Sequence, residues 1–204
     1  MKLFTLYNNN ILSDNNAEDS ALIDNAAPII ATSPDTAIIK DGRPFFVPDF
    51  TERCCFLPAF AVRISRLGHS ISERFAHRYY DATTAGVRFF AADLLSQAQR
   101  GGLPWSFATG FDGSAAIGQF VEAKGIDAMH LSIYLDGNEL FSVDGLGLSQ
   151  TLDRAVAHIS RYYTLRQGDM LFCCTSADRP EPAVENSRLT ATIDGRQILA
   201  FNIK

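Results

Sequence analysis

The sequence predicts an α+β domain, rich in β, in which a rolled β-sheet is flanked by a few peripheral helices. Three observations predict it: short apolar or β-branched runs recur along the whole chain, only a few segments carry helical spacing, and the connections between them are long and irregular. The glycine pattern of a dinucleotide loop and the lysine-bearing phosphate loop are both absent, so a nucleotide-binding sandwich is excluded. With 204 residues the chain can bury one substantial core, and a β-rich fold of this length stays a single domain.

Taken in order, residues 1–27 read as a short strand followed by an irregular loop rich in Asn and Asp, and residues 28–204 as the domain proper. Order resumes near Ile29. Residues 36–40 and 45–48, separated by Asp41-Gly42-Arg43-Pro44, predict a hairpin. A partly buried strand is expected from Cys54 toward Gly68, and Ser70 three residues before Glu73 has the spacing of a capping box opening a short helix. Residues 82–90 read as strand, and 91–100 as helix until Gly101-Gly102 stops it. Further strands are expected over 116–121 and 131–135, the second turning at Asp136-Gly137, and a helix over 152–163 with Leu152, Val156, Ile159 and Tyr163 on one face. The chain closes with a strand at Met170–Cys174 and a hairpin across Asp194-Gly195.

The net charge of −5 comes from 18 basic and 23 acidic residues that are scattered, so there is no basic stripe for nucleic acid. No apolar run reaches the roughly 20 residues that cross a bilayer. The start, Met1 to Tyr7 and then three asparagines, turns polar too early for a signal peptide, which predicts a cytoplasmic protein. The cysteines form two adjacent pairs, Cys54-Cys55 and Cys173-Cys174, unlike the spaced pairs of zinc sites. Since strand neighbours point to opposite faces, one thiol of each pair is expected to be buried, and all four to be reduced.

Four blocks, Pro34-Asp35-Thr36-Ala37-Ile38-Ile39-Lys40-Asp41-Gly42, Phe75-Ala76-His77-Arg78-Tyr79-Tyr80-Asp81-Ala82, Gly110-Phe111-Asp112-Gly113-Ser114-Ala115-Ala116-Ile117-Gly118 and Leu165-Arg166-Gln167-Gly168-Asp169-Met170-Leu171-Phe172, occur in an order and spacing that resembles the fumarylacetoacetate hydrolase family over residues 28–204. The resemblance implies a β-roll that pairs into homodimers. It also implies enzymes that hydrolyse, decarboxylate or isomerise acylpyruvates, hydroxymuconate-like diacids and related 2-oxo acids around a magnesium or manganese ion.

Against that pattern the sequence departs at every metal position. The family's Glu-x-Glu falls on Leu57-Pro58-Ala59 and its aspartate on Arg88, while the lysine before Gly-Phe-Asp is Thr109. The Gly-Thr-Pro after the Gly-Asp strand reads Cys174-Thr175-Ser176, and the N-terminal Asn-Tyr block with its His and Glu has no counterpart between Tyr7 and Asp24. Three carboxylates have become two apolar side chains and a cation, which leaves no hard oxygen donors for a divalent ion. No cofactor is therefore expected.

The expectation is a metal-free pseudoenzyme, homodimeric, that keeps a pocket for a small acidic metabolite. Two alternatives stay open: an active hydrolase, isomerase or decarboxylase of 2-oxo acids with an altered site, and a regulatory partner of an intact paralogue. Candidate ligand-binding residues are Arg88, Asp112, Ser114, Thr175 and Ser176. Arg88 either offers its planar fork to a carboxylate or pairs with Asp93 or Asp112 or turns outward. Asp93 and Asp112 are expected to hold loops. His77 is expected to meet carbonyls near the end of its helix, and His69, His130 and His158, at a turn, a strand start and a helix, show no sequence arrangement with Ser or Cys that suggests a triad.

Overall fold

The computed structural model describes residues 1–7, 29–39, 42–174 and 180–204. Its spine is the antiparallel pair of β4 (Cys54–Ile64) and β5 (Tyr80–Ala91), in register from Cys54 opposite Ala91 to Arg63 opposite Ala82, with a shift that places Ile64 opposite Tyr80. Around it lie β1 (Leu3–Tyr7), β2 (Ile29–Ser33), β3 (Ile38–Ile39), β6 (Ala115–Ile117) and β10 (Met170–Cys174), in the order β2-β1-β10-β4-β5-β6-β3. Two short strands extend this sheet: β7 (Val121–Glu122) on β5 and β11 (Glu181–Pro182) on β4. A second sheet holds β8 (His130–Leu135), β9 (Asn138–Asp144), β12 (Arg188–Ile193) and β13 (Arg196–Asn202) in the order β13-β12-β8-β9.

Period-two alternation divides the spine between two cores. Phe56, Phe60 and Val62 of β4 and Ala85, Val87 and Phe89 of β5 enter the main core, together with Leu131, Ile133, Leu189 and Phe201 of the second sheet. Phe89 meets the Phe201 ring edge-on, with centroids 6.0 Å apart, which ties the sheets together. The intervening residues Leu57, Ala59, Ala61 and Phe90 face a smaller cluster with Leu3, Tyr7, Phe172 and Cys174. Of the helices, α2 (Ala92–Gly101) ends at Gly102, whose φ of 63° is the left-handed conformation that glycine adopts without strain. The longest, α4 (Leu148–Ser160), buries Leu148, Leu152, Ala155, Val156 and Ile159, a single stripe at helical spacing. The short helices are α1 (Glu73–Ala76) and α3 (Ser106–Thr109).

The β-rich α+β class and the rolled sheet are as the sequence predicts. Several elements differ. Residues 36–48 do not form a hairpin: Ile38 and Ile39 pair in parallel with Ala115 and Ala116, and Phe45 bridges Ile203, because each short apolar run finds a distant strand rather than its neighbour. Ser70 is not a helix cap. Its φ is 51°, its Oγ lies 2.9 Å from His69 Nδ1, and α1 begins after Ser72. The expected strand over 116–121 breaks into β6 and β7 at Gly118, where any Cβ would stand 2.4 Å from the Ile198 carbonyl oxygen. Helix α4 starts four residues before the expected Leu152 and ends three before Tyr163. All four cysteines are buried, not one of each pair, since β4 and β10 are covered on both faces. The Asn-rich segment before Ile29 lies outside the described residues.

Candidate functional site

Arg88 is the largest fully buried side chain among the described residues, at 1% exposure. It sits in the middle of β5 with Leu57 of β4 opposite on one side and Ala115 of β6 on the other. The next row on this face runs Cys174, Ala59, Gly86 and Ile117 across four strands. The guanidinium carbon lies 5.4 Å from the centre of the Phe172 ring. Its Nη2 donates to the Thr109 carbonyl oxygen at 2.7 Å and to Ser33 Oγ at 3.0 Å. Nε and Nη1 have no hydrogen-bond partner among the described residues. The structure thus brings Leu57, Ala59, Arg88 and Thr109 to one place, although they are spread over 53 positions of sequence.

The polar neighbours do not balance the charge. An arginine stays protonated in any folded protein, and no described carboxylate forms an ion pair with Arg88. Two groups beside it can ionise. Burial pushes the Tyr7 phenol up, while the nearby Arg88 charge pulls against that rise. Burial pushes the Cys174 thiol up to about 12, again against the pull of Arg88. Both are therefore neutral at pH 7, and among the described residues the cation is uncompensated.

The other candidates lie elsewhere. Asp112 is exposed on the turn before β6 and makes no ion pair with Arg88. Ser114 is fully buried, but its hydroxyl has no hydrogen-bond partner, Arg88 included. Thr175 and Ser176 lie outside the described residues. Asp93 has a loop-holding role: its carboxylate accepts from the Thr51 hydroxyl and, at 3.1 Å, from the Glu52 amide. Desolvation pushes its carboxyl up, but the hydrogen bonds from Thr51 and the backbone amides together outweigh it and hold the group below the usual range. The pairing of Arg88 with Asp93 or Asp112, and its outward turn, are thus both excluded. Tyr7, Ser33, Phe172 and Cys174 were not legible as site residues, because strands buried on both faces give no alternation to read.

The residues present do not suit a divalent metal. Leu57 and Ala59 offer no oxygen donor, and a divalent ion about 4 Å from the guanidinium would be repelled by about 8 kcal/mol at an effective dielectric of 20. No group of three or more His, Cys, Asp or Glu side chains among the described residues is placed to hold a metal. A cleft of about 600 Å³ beside Gly118 and Ile198 has no titratable side chain among its described lining residues. No described helix is long and apolar enough to cross a membrane.

The family model described as fumarylacetoacetate (FAA) hydrolase C-terminal matches residues 7–202. The mitochondrial oxaloacetate tautomerase FAHD1 of Mus musculus is 26% identical over 180 residues, covering 87% of this chain and 81% of that protein. Among solved structures, a putative fumarylpyruvate hydrolase from Burkholderia cenocepacia superposes with a TM-score of 0.83 at 22% identity, over 100% of this chain and 88% of that one. The fumarylpyruvate hydrolase from Pseudomonas aeruginosa, solved with Mn2+ and pyruvate, gives 0.81 at 20% identity, over 100% and 89%.

Proposed function

We propose, from the premise that this chain belongs to the fumarylacetoacetate hydrolase family, that it is a metal-free member which binds a small carboxylic or 2-oxo acid directly on Arg88 and has lost the family's metal-dependent turnover. The observation that carries this reading is the buried guanidinium with two nitrogens, Nε and Nη1, unpartnered among the described residues and no described counter-ion. An isolated buried charge costs several kcal/mol, and each unsatisfied donor adds to that cost. A carboxylate accepting from Nη1 removes much of both penalties, and at about 4 Å and an effective dielectric of 20 the attraction is worth about 4 kcal/mol.

The acid class follows from the relatives: a tautomerase of oxaloacetate and a hydrolase solved with pyruvate both handle small 2-oxo acids. Where such relatives hold a metal, this chain offers a fixed cation. Arginine can neutralise a carboxylate, but it cannot chelate an oxo–carboxylate pair as a Lewis acid, so binding survives where the chemistry does not. We further propose a cytoplasmic homodimer. Four free, buried thiols suit a reducing compartment, and sedimentation gives the oligomeric state.

The deciding experiment is calorimetric titration with magnesium, with manganese, and with oxalate in the presence and absence of each. Binding of oxalate alone, lost in Arg88→Ala, is the expected result. Micromolar binding of either metal, or acylpyruvate turnover abolished by a chelator, would overturn the reading.

A further inference from the structure

The hairpin β8–β9 carries His130, Ser142 and Asp144 together on one face, far in sequence from the elements around Arg88. His130 stands directly opposite Asp144, and Ser142 lies two pairs further along, on the same face, opposite Ser132. The Nδ1 of His130 is 2.7 Å from Asp144 Oδ1, and its Nε2 is 2.8 Å from Ser142 Oγ. A carboxylate only accepts, so Nδ1 carries the proton, and Nε2 presents its lone pair to the Ser142 hydroxyl. That is the order nucleophile, base, orienting carboxylate, and such a constellation is recognised by geometry rather than by sequence position. Sequence spacing gave no hint of a triad; the antiparallel register of the hairpin assembles it.

The backbone supplies a further element. The His130 amide donates to Asp194 Oδ1 at 2.8 Å, and its carbonyl accepts from the Asp194 amide at 2.9 Å, so its main chain faces β12. The alternate residues therefore bond toward β9, as the Gly145 amide does with the Met129 carbonyl at 2.8 Å. Ser142 and Asp144 are in the opposite phase, and among the described strands β9 is the last of its sheet, so their N–H groups point to its outer edge. The Ser142 N–H is adjacent to its own Oγ and free to donate to an oxyanion formed there.

We propose that Ser142 is an activated serine that accepts acyl groups from small activated esters. Ser142 Oγ attacks the ester carbonyl while its proton passes to His130 Nε2; the bond to the leaving aryloxide breaks, and the proton follows that oxygen. Water, deprotonated by the same Nε2, then hydrolyses the acyl-serine. The side chains of His130 and Asp144 are 46% and 78% exposed, so water is not excluded and the substrate is a small ester, not a buried one. The acceleration is that of a positioned general base, about 10²- to 10⁴-fold. Asp144 acts as a positioning residue by fixing the tautomer.

The test is incubation with p-nitrophenyl acetate, following nitrophenol release and locating the acetyl group by peptide mass spectrometry. Acetylation concentrated on Ser142, absent in Ser142→Ala and reduced about 100-fold in His130→Gln, is expected. Asp144→Asn should slow it and Asp144→Glu restore part of the rate, which a merely structural contact would not do. Equal labelling across other surface serines and lysines, or a Ser142 rate unchanged in His130→Gln, would overturn the assignment. All three side chains are exposed, so the variants fold, and circular dichroism verifies that.

Discussion

Leu57 and Arg88 face each other directly across the β4–β5 pair, on the same side of the sheet. A leucine opposite an arginine offers no acceptor, and the guanidinium reaches sideways to the Thr109 carbonyl and Ser33 instead. Two nitrogens, Nε and Nη1, are left over. The buried cation and its apolar partner therefore have to be understood together, as a site with one half missing.

Replacing Arg88 by methionine should separate binding from stability. Methionine fills much of the same volume with a flexible apolar chain, and exchanging a buried, uncompensated charge for a packed hydrophobe is stabilising by about 1–4 kcal/mol. Arg88→Met is expected to melt higher than the parent and to lose oxalate binding. A lower melting temperature with binding retained would show that the cation is already neutralised within the protein.

Gly86 controls the other wall of this site. It lies two residues before Arg88 on the same face, and a Cβ there would stand 2.8 Å from Phe172 Cε1 and 3.3 Å from Ala61 Cβ. The Phe172 ring, fully buried, would have to shift, and it is the ring over which Arg88 rests. Gly86→Ala should cost about 1–3 kcal/mol by overpacking and weaken oxalate binding as well. Thermal melting and calorimetry on one preparation read both; an unchanged melting temperature would refute the packing argument.

How much of this was legible beforehand depended on whether the information was local. The strand Met170–Cys174 and the turns at Asp136-Gly137 and Asp194-Gly195 were readable, because apolar runs and turn residues adjoin them. Strand β9 was not, since its residues alternate between exposed and half-buried at a sheet edge and carry a weak apolar pattern. The false hairpin at residues 36–48 had a sound turn signal, but Ile38 and Phe45 pair with strands far along the chain, which no local pattern encodes. For the site, Arg88 was conspicuous as a cation in an apolar run. Its partner Ser33 lies 55 residues away and Tyr7 81 residues away, so only the fold could bring them together.

Alkaline pH should reveal the buried thiols. Burial pushes Cys54, Cys173 and Cys174 from 9.0 up to about 12. A folded value above the unfolded one means that the native state holds its protons longer. The stabilisation is complete below pH 9 and is lost as pH rises from 9 toward 12. Denaturation midpoints should fall between pH 8 and pH 10.5, and fall less in Cys173→Ala, which lacks one of these protons. Identical slopes in the two proteins would contradict the buried-thiol account.

Asp169 anchors the first strand, and through it Tyr7. Its carboxylate is 1% exposed; Oδ1 accepts from the Lys2 amide at 2.8 Å, and Oδ2 from the Arg166 amide at 2.9 Å and the Lys2 ammonium at 2.6 Å. The Met170 amide donates to the Lys2 carbonyl at 3.0 Å, so the start of β1 is tied to β10 from both ends of the peptide. Asparagine in place of Asp169 keeps the shape but turns one acceptor into an N–H donor, which then faces other donors with the negative charge gone. Charge-assisted bonds of this kind are worth about 1.5–3 kcal/mol each, and breaking a buried pair costs about 3–5 kcal/mol. Asp169→Asn should therefore lose about 3 kcal/mol in denaturant unfolding, and the β1 amides should exchange hydrogen faster than those of β8. Lys2→Met should lose less, because the lysine side chain is 32% exposed and both backbone bonds remain. Equal losses from the two substitutions would mean that the ammonium, rather than the backbone amides, is what Asp169 holds.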